Sequence, residues 1–168
     1  GDKFNAQVCA GTLIAPNWVL TSAHCVTGAD PDGFPTQIPV DPRELIVVLN
    51  MTDLDSNEGA FSDVERIVCH QDFDGRFTSP TVIADIALLK LATDFPDQPT
   101  MPYTTGPGVG AATAGVSAGT SAKILGWGAD EYNNTEEAFH PTILQEADTM
   151  IISNQDCGDA WAAVSTDI

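Results

Sequence analysis

The feature that most constrains this chain is the shortness of its apolar segments. Gln7–Ile14, Trp18–Ser22, Leu45–Leu49, Val64–Val68, Ala87–Leu91 and Ala122–Leu125 are apolar or alternating, and Gly, Pro, Asn and Asp separate them. Segments of this length between turn signals indicate strands, and a chain built from them is expected to be all-β, a sandwich or a barrel. Helical periodicity is scarce. The best helical candidate lies near the end, where Ser153 or Asn154 can cap a turn running through Asp156 and Cys157 toward Trp161.

Two stretches interrupt this pattern. Thr27–Pro42 holds Pro31, Pro35, Pro39 and Pro42 together with two glycines, so it is expected to be a surface excursion rather than a central strand. The chain from Pro96 to Gly119 is rich in Pro, Gly, Ala and Thr and reads as an extended connection. The expected organisation is a first packed unit over residues 1–95, a connection over 96–121 and a second unit over 122–168. No internal repeat is visible at the periods of solenoids or propellers.

The 168 residues allow one ordinary domain, or one small domain and part of another. A 43% hydrophobic content against 18% charged residues describes a chain that folds. The 24 acidic residues outnumber the 6 basic ones, for a net charge of −18. Nucleic acid is thereby excluded as an expected partner, because phosphate binding needs clustered Lys and Arg. An anionic membrane surface would repel the chain, and no apolar run approaches the roughly 20 residues that span a bilayer.

Cys9, Cys25, Cys69 and Cys157 form none of the close C-x-x-C pairs of structural zinc sites. Two sequons, Asn50-Met51-Thr52 and Asn133-Asn134-Thr135, suit a secreted protein and mark Asn50 and Asn133 as glycosylation candidates. The chain starts Gly-Asp-Lys-Phe rather than with a basic and apolar leader, so the sequence is expected to be mature or trimmed.

The most informative stretch runs from Cys9 to Cys25 and ends Thr21-Ser22-Ala23-His24-Cys25. Two β segments meeting at a turn could bring its end cysteines together. Closing that loop of about 16 residues stabilises a fold by roughly 3 kcal/mol in the chain-entropy model. A second segment, Ala84-Asp85-Ile86-Ala87-Leu88-Leu89-Lys90-Leu91, sets one carboxylate before an apolar run, where an aspartate by itself reads as a turn residue.

The first stretch resembles the histidine-bearing segment of trypsin-like serine proteases, whose hallmark is T-A-A-H-C, and the second resembles their D-I-A-L-L-K-L segment. Ile124-Leu125-Gly126-Trp127-Gly128 is similar to the G-W-G stretch that opens the family's second barrel. Leu144-Gln145-Glu146-Ala147 and Ile152-Ser153-Asn154-Gln155-Asp156-Cys157 resemble the strand and short helix that follow it. The resemblance implies a double six-stranded antiparallel β-barrel, with the first barrel essentially present and the second only begun. It implies a Cys9–Cys25 disulfide, His24 as general base and Asp85 as its orienting carboxylate. It also implies a secreted endopeptidase acting on protein or peptide substrates through an acyl-enzyme.

His24 and Asp85 stand 61 residues apart, a longer interval than is usual in the family, and the Pro-rich excursion accounts for the excess. That excursion is expected to narrow access to the substrate cleft or add a contact surface. The G-D-S-G-G segment that carries the family's nucleophile does not occur in the sequence, and the eight residues before Cys9 contain no I-V-G-G. Gly115-Val116-Ser117-Ala118-Gly119 matches G-x-S-x-G, but the nucleophile elbow needs a strand, a sharp turn and a helix, and the order Ser, acid, His. Neither Ser22, beside His24, nor Ser165, which lacks flanking glycines, is a serious nucleophile.

The 168 residues alone are therefore expected to be inactive, and either a missing C-terminal half or a second chain is an expected partner. The alternative is a noncatalytic homologue that acts as a binding or structural module. The resemblance also implies that Cys157 bonds a cysteine further along, while Cys69 has no assigned counterpart. Residues 50–65 include Asp53, Asp55, Asn57, Glu58, Asp63 and Glu65, oxygen ligands of the kind that hold Ca²⁺; a solvated acidic loop is the expected account of them. No cofactor is expected otherwise.

Overall fold

Antiparallel pairing organises the computed structural model of the chain, which describes residues 7–75, 84–103, 117–129 and 140–164. Two units emerge, residues 1–102 and 103–168. The first contains β1 (Thr12–Ala15), β2 (Trp18–Thr21), β3 (Thr27–Ala29), β4 (Pro35–Pro39), β5 (Ile46–Leu49), β6 (Ala60–Cys69) and β7 (Ala87–Leu91). The second contains β8 (Ser121–Gly126), β9 (Gln145–Met150) and one helix, α1 (Asn154–Val164).

Five strands of the first unit form a curled antiparallel sheet in the order β1-β2-β7-β6-β5, as in part of a trypsin-like barrel. β2 and β6 flank β7 in register, with Thr21 and Cys69 both opposite Ala87, and Leu20 and Val68 both opposite Leu88. Side-chain alternation along β7 puts Ala87, Leu89 and Leu91 on the buried face. There they meet Leu13, Val19, Ala23, Val26, Val64 and Phe73 in a single core. On the other face, Trp18 lies between Arg66 and Lys90, at 5.6 and 5.7 Å from its ring centroid, a cation–π arrangement drawn from three adjacent strands.

The Pro-rich excursion stays out of this sheet, yet it is not unpaired. It folds on itself as the β3–β4 hairpin, with Thr27 opposite Pro39 and Ala29 opposite Pro35. Prolines lack the amide that a central strand must donate, and a two-stranded hairpin tolerates them because each strand has a free edge. The Asp30 carboxylate shapes the hairpin's turn by accepting from the amides of Asp32 and Phe34. Gly75, in the left-handed region at φ +66°, passes so close beneath the hairpin that a Cβ there would lie 2.0 Å from the Pro35 carbonyl oxygen.

The first unit extends past Pro96: the Met101 amide donates to the Leu13 carbonyl, and Asn50 donates to Gln98. In the second unit β8 and β9 pair over six residues each, and Lys123 bridges to Glu146 and Asp148 across them. Ser153 caps α1, accepting from the Asp156 amide while its hydroxyl donates to the Asp156 carboxylate. Among the described residues, no helix is long and apolar enough to cross a membrane.

Candidate active site

The local fold around His24 begins with the Cys9–Cys25 disulfide, whose Cα atoms stand 6.0 Å apart. Thr21 tightens the same loop by donating its hydroxyl to the Ala10 carbonyl. At the end of β2 the chain turns into a short 3-10 helix, Ala23–Val26, because the fully buried Ala23 and Val26 turn toward the core and leave His24 between them facing out. His24 thus sits on a crosslinked, core-anchored turn with its side chain 41% exposed.

Asp85 stands two residues before Ala87, the end of β7 that lies beside Thr21. Its half-buried carboxylate reaches the histidine twice. Oδ1 accepts from the His24 backbone amide at 2.9 Å, and Oδ2 lies 2.6 Å from His24 Nδ1. Burial alone pushes the Asp85 carboxyl up. The His24 amide, its ring N–H and charge, and the Ala23 amide together outweigh burial and hold the carboxyl below its usual value of 3.8. With Nδ1 donating to this anion, the tautomer that carries a lone pair on Nε2 is favoured. Nε2 lies toward the disulfide, 3.5 Å from Cys25 Sγ. An exposed imidazole oriented in this way can accept a proton from a hydroxyl brought to Nε2.

Other sequence candidates lie elsewhere. Asn50 follows β5 in the left-handed region at φ +56°, exposed, with its amide nitrogen donating to Gln98 Oε1 at 2.6 Å. Asn133 and Ser165 lie outside the described residues, as do Gly115 and Val116 of the G-x-S-x-G match. Ser117 is exposed in a turn of the second unit that closes through the Thr120 amide. Ser22 precedes the 3-10 helix and makes no side-chain capping bond to it. Cys69 on β6 and Cys157 on α1 are half-buried free thiols, and burial pushes the Cys69 thiol up.

The acidic stretch 50–65 divides between a turn at 53–56 and the first part of β6, which begins at Ala60. Asp53 Oδ1 accepts from the Asp55 amide, and the Ser56 hydroxyl donates to the Asp53 carbonyl. Its carboxylates do not converge. Among the described residues the convergence of three metal-ligating types is Cys9, His24 and Cys25, where the disulfide consumes both sulfurs.

Reading the sequence missed the main-chain features here. The Ala23 amide helps hold the Asp85 carboxylate, and Ala84 just before it is left-handed at φ +57°; no side-chain motif announces either.

Comparison with known proteins matches residues 2–168 to the trypsin family model. A trypsin of Saccharopolyspora erythraea is 30% identical over 155 residues, which are 92% of this chain and 57% of that protein. An ovochymase of Halocynthia roretzi is 31% identical over 94% of this chain and 9% of its own length. Coagulation factor XII of Cavia porcellus is 30% identical over 94% of this chain and 25% of its own length. The chain thus spans little more than half the length of the bacterial trypsin and a smaller share of the other two. The match along nearly the whole chain, over a curled antiparallel sheet carrying a histidine–aspartate pair, establishes that the chain belongs to the trypsin family of serine proteases.

Proposed function

We propose that the protein is a secreted serine endopeptidase in which His24 is the general base and Asp85 its orienting carboxylate. The nucleophilic serine, the backbone donors for the oxyanion and the pocket that selects substrate come from residues outside these 168. The 2.6 Å contact between His24 Nδ1 and Asp85 Oδ2 carries this reading, because it leaves Nε2 as the proton acceptor. The serine hydroxyl would lose its proton to Nε2 as its oxygen attacks the peptide carbonyl. The imidazolium would then return that proton to the leaving amine, and water would hydrolyse the acyl-enzyme by the same route. Residues 1–95 would form the first barrel, 96–121 the connection and 122–168 the start of the second.

A crosslink at Cys9–Cys25 and an exposed sequon asparagine, Asn50, support secretion and glycosylation. The second reading is a noncatalytic homologue used as a binding module. The full natural protein decides between the two. Peptide-bond hydrolysis and labelling by a fluorophosphonate, both abolished in His24→Ala, are the expected results. A folded full protein that neither hydrolyses peptides nor takes the label is the noncatalytic homologue.

A further inference from the structure

Three side chains that can ligate a transition metal meet at one point of the first unit. A ring nitrogen of His24 and the sulfurs of Cys9 and Cys25 all lie within 4.8 Å of one another. No C-x-x-C spacing announces this, because the fold brings Cys9 back to the 3-10 helix across a separation of 16 residues. The disulfide joins the two sulfurs, and a disulfide sulfur is a poor donor, so such a site exists only in the dithiol form. Cys9 and His24 are exposed and Cys25 is half-buried, which leaves the bond open to attack by a thiol.

The spacing suits zinc. Tetrahedral zinc holds a sulfur and an imidazole nitrogen about 3.5 Å apart, and two sulfurs about 3.8 Å apart. His24 Nε2 already stands 3.5 Å from Cys25 Sγ. Once the S–S bond is broken, rotation of the two side chains, on Cα atoms 6.0 Å apart, lets the sulfurs part to the required distance. A second observation lies behind the ring. A ligating histidine donates its other N–H to a carboxylate or carbonyl, which fixes its tautomer and raises its basicity. Nδ1 of His24 faces Asp85 Oδ2 at 2.6 Å, so the lone pair is on Nε2, the nitrogen beside the sulfur.

We propose that reduction of Cys9–Cys25 opens a zinc site in which Cys9 Sγ, Cys25 Sγ and His24 Nε2 are the protein ligands, Asp85 orients the histidine and water takes the fourth position. A dithiol supplies the two electrons and two protons: the S–S bond breaks, both cysteines become thiols, and the dithiol closes to its own disulfide. Zn²⁺ then displaces the two thiol protons to solvent and accepts a lone pair from each thiolate and from Nε2, which has no proton to lose. Two thiolates and an imidazole select zinc over calcium or magnesium, which take oxygen. On the enzymatic reading the ion occupies the lone pair that would accept the serine proton, and the reduced, zinc-loaded protein is inactive. The site itself does not rest on that reading.

The test is titration of the 168-residue chain with Co²⁺, a coloured stand-in for zinc, and with Zn²⁺. Cys69→Ala and Cys157→Ala together remove the two free thiols from this parent chain. After reduction, and removal of the dithiol under nitrogen, one Co²⁺ per chain should give thiolate-to-metal charge transfer and the intense visible bands of a tetrahedral site, both erased by Zn²⁺. The oxidised chain should give neither. His24→Ala and Asp85→Asn should each weaken binding by at least about tenfold. A reduced chain without the tetrahedral spectrum, unchanged affinity in His24→Ala or Asp85→Asn, or equal uptake by the oxidised chain overturns the proposal. Should reduction unfold the chain, circular dichroism decides: Zn²⁺ should restore the β signal of the parent and not that of His24→Ala, and a parent that stays unfolded with Zn²⁺ refutes the site. A failure of the enzymatic reading is distinguishable from all of these, since it appears as absent hydrolysis in the oxidised full protein while metal uptake by the reduced chain persists.

Discussion

At the scale of single residues, the site depends on one carboxylate that serves both the main chain and the ring of His24. Asp85→Asn keeps the shape of the side chain but removes the charge, and its amide can present a donor to Nδ1, which favours the wrong tautomer. In the full protein kcat for peptide hydrolysis should fall by about 10⁴, the known cost of this change at the orienting aspartate of such proteases, with much less effect on KM. A loss under tenfold would show that Asp85 does not orient the base. The same carboxylate links stability to pH. Its folded value is depressed below 3.8, so the stabilisation is fully present above that value and is lost as the pH falls through the folded one. The advantage of the natural sequence over Asp85→Asn in denaturant midpoint should therefore be constant near neutrality and shrink on acidification below 3.8. An advantage that grows in acid would contradict the geometry. Thr27, just past the 3-10 helix, buries a hydroxyl that has no hydrogen-bond partner among the described residues. Thr27→Val keeps the shape and removes the unmet polar group, so urea denaturation should show it neutral or stabilised by up to about 1 kcal/mol.

At the scale of elements, what could be read from the sequence divides along a physical line. β7 was legible residue for residue at Ala87–Leu91, because a buried strand between two neighbours needs an unbroken apolar run. The start of α1 was legible because Ser153 caps it through its own side chain. The motif around His24 and Asp85 named both residues of the pair. Pairing partners were less legible. The β3–β4 hairpin hid behind its prolines, and β6 runs from Ala60 to Cys69, well beyond the apolar Val64–Val68, because its outward positions are polar. Ala84 was not legible, since alanine carries no preference for the left-handed region and its conformation is imposed from outside. Gly75 makes the same point in a residue that sequence alone would pass over. Any Cβ there meets the Pro35 carbonyl at 2.0 Å and must also hold φ +66°. Gly75→Ala should shift the hairpin and lower stability by roughly 1–3 kcal/mol, measured as the urea midpoint. A midpoint unchanged from the natural sequence would mean that the hairpin does not rest on this segment.

At the scale of the whole molecule, the two units are built to different standards of burial. In the first, β2, β7 and β6 each have neighbours on both sides and contribute Val19, Val64, Ala87, Leu89 and Leu91 to the core. In the second, Pro141 is the one buried residue among residues 103, 117–129 and 140–160; Ile124 and Leu125 are each 61% exposed and Met150 57%. Two strands alone are marginally stable in water, because each has only one partner and neither face is covered. Amides in β2, β7 and β6 should therefore exchange with solvent only when the first unit opens as a whole, whereas those of β8 and β9 exchange through local opening. Hydrogen exchange on the 168-residue chain should show the β8–β9 amides faster by on the order of a hundredfold or more, the ratio set by a few kcal/mol of opening energy. Equal protection in both sheets would mean that the β8–β9 hairpin holds a cover in this chain. If the proposed endopeptidase is right, the same amides in the full protein should slow toward those of β7, because completing the second barrel gives β8 and β9 their missing neighbours and buries Ile124, Leu125 and Met150. The exposed apolar hairpin would then be an intermediate surface of the fold, finished by residues outside the 168.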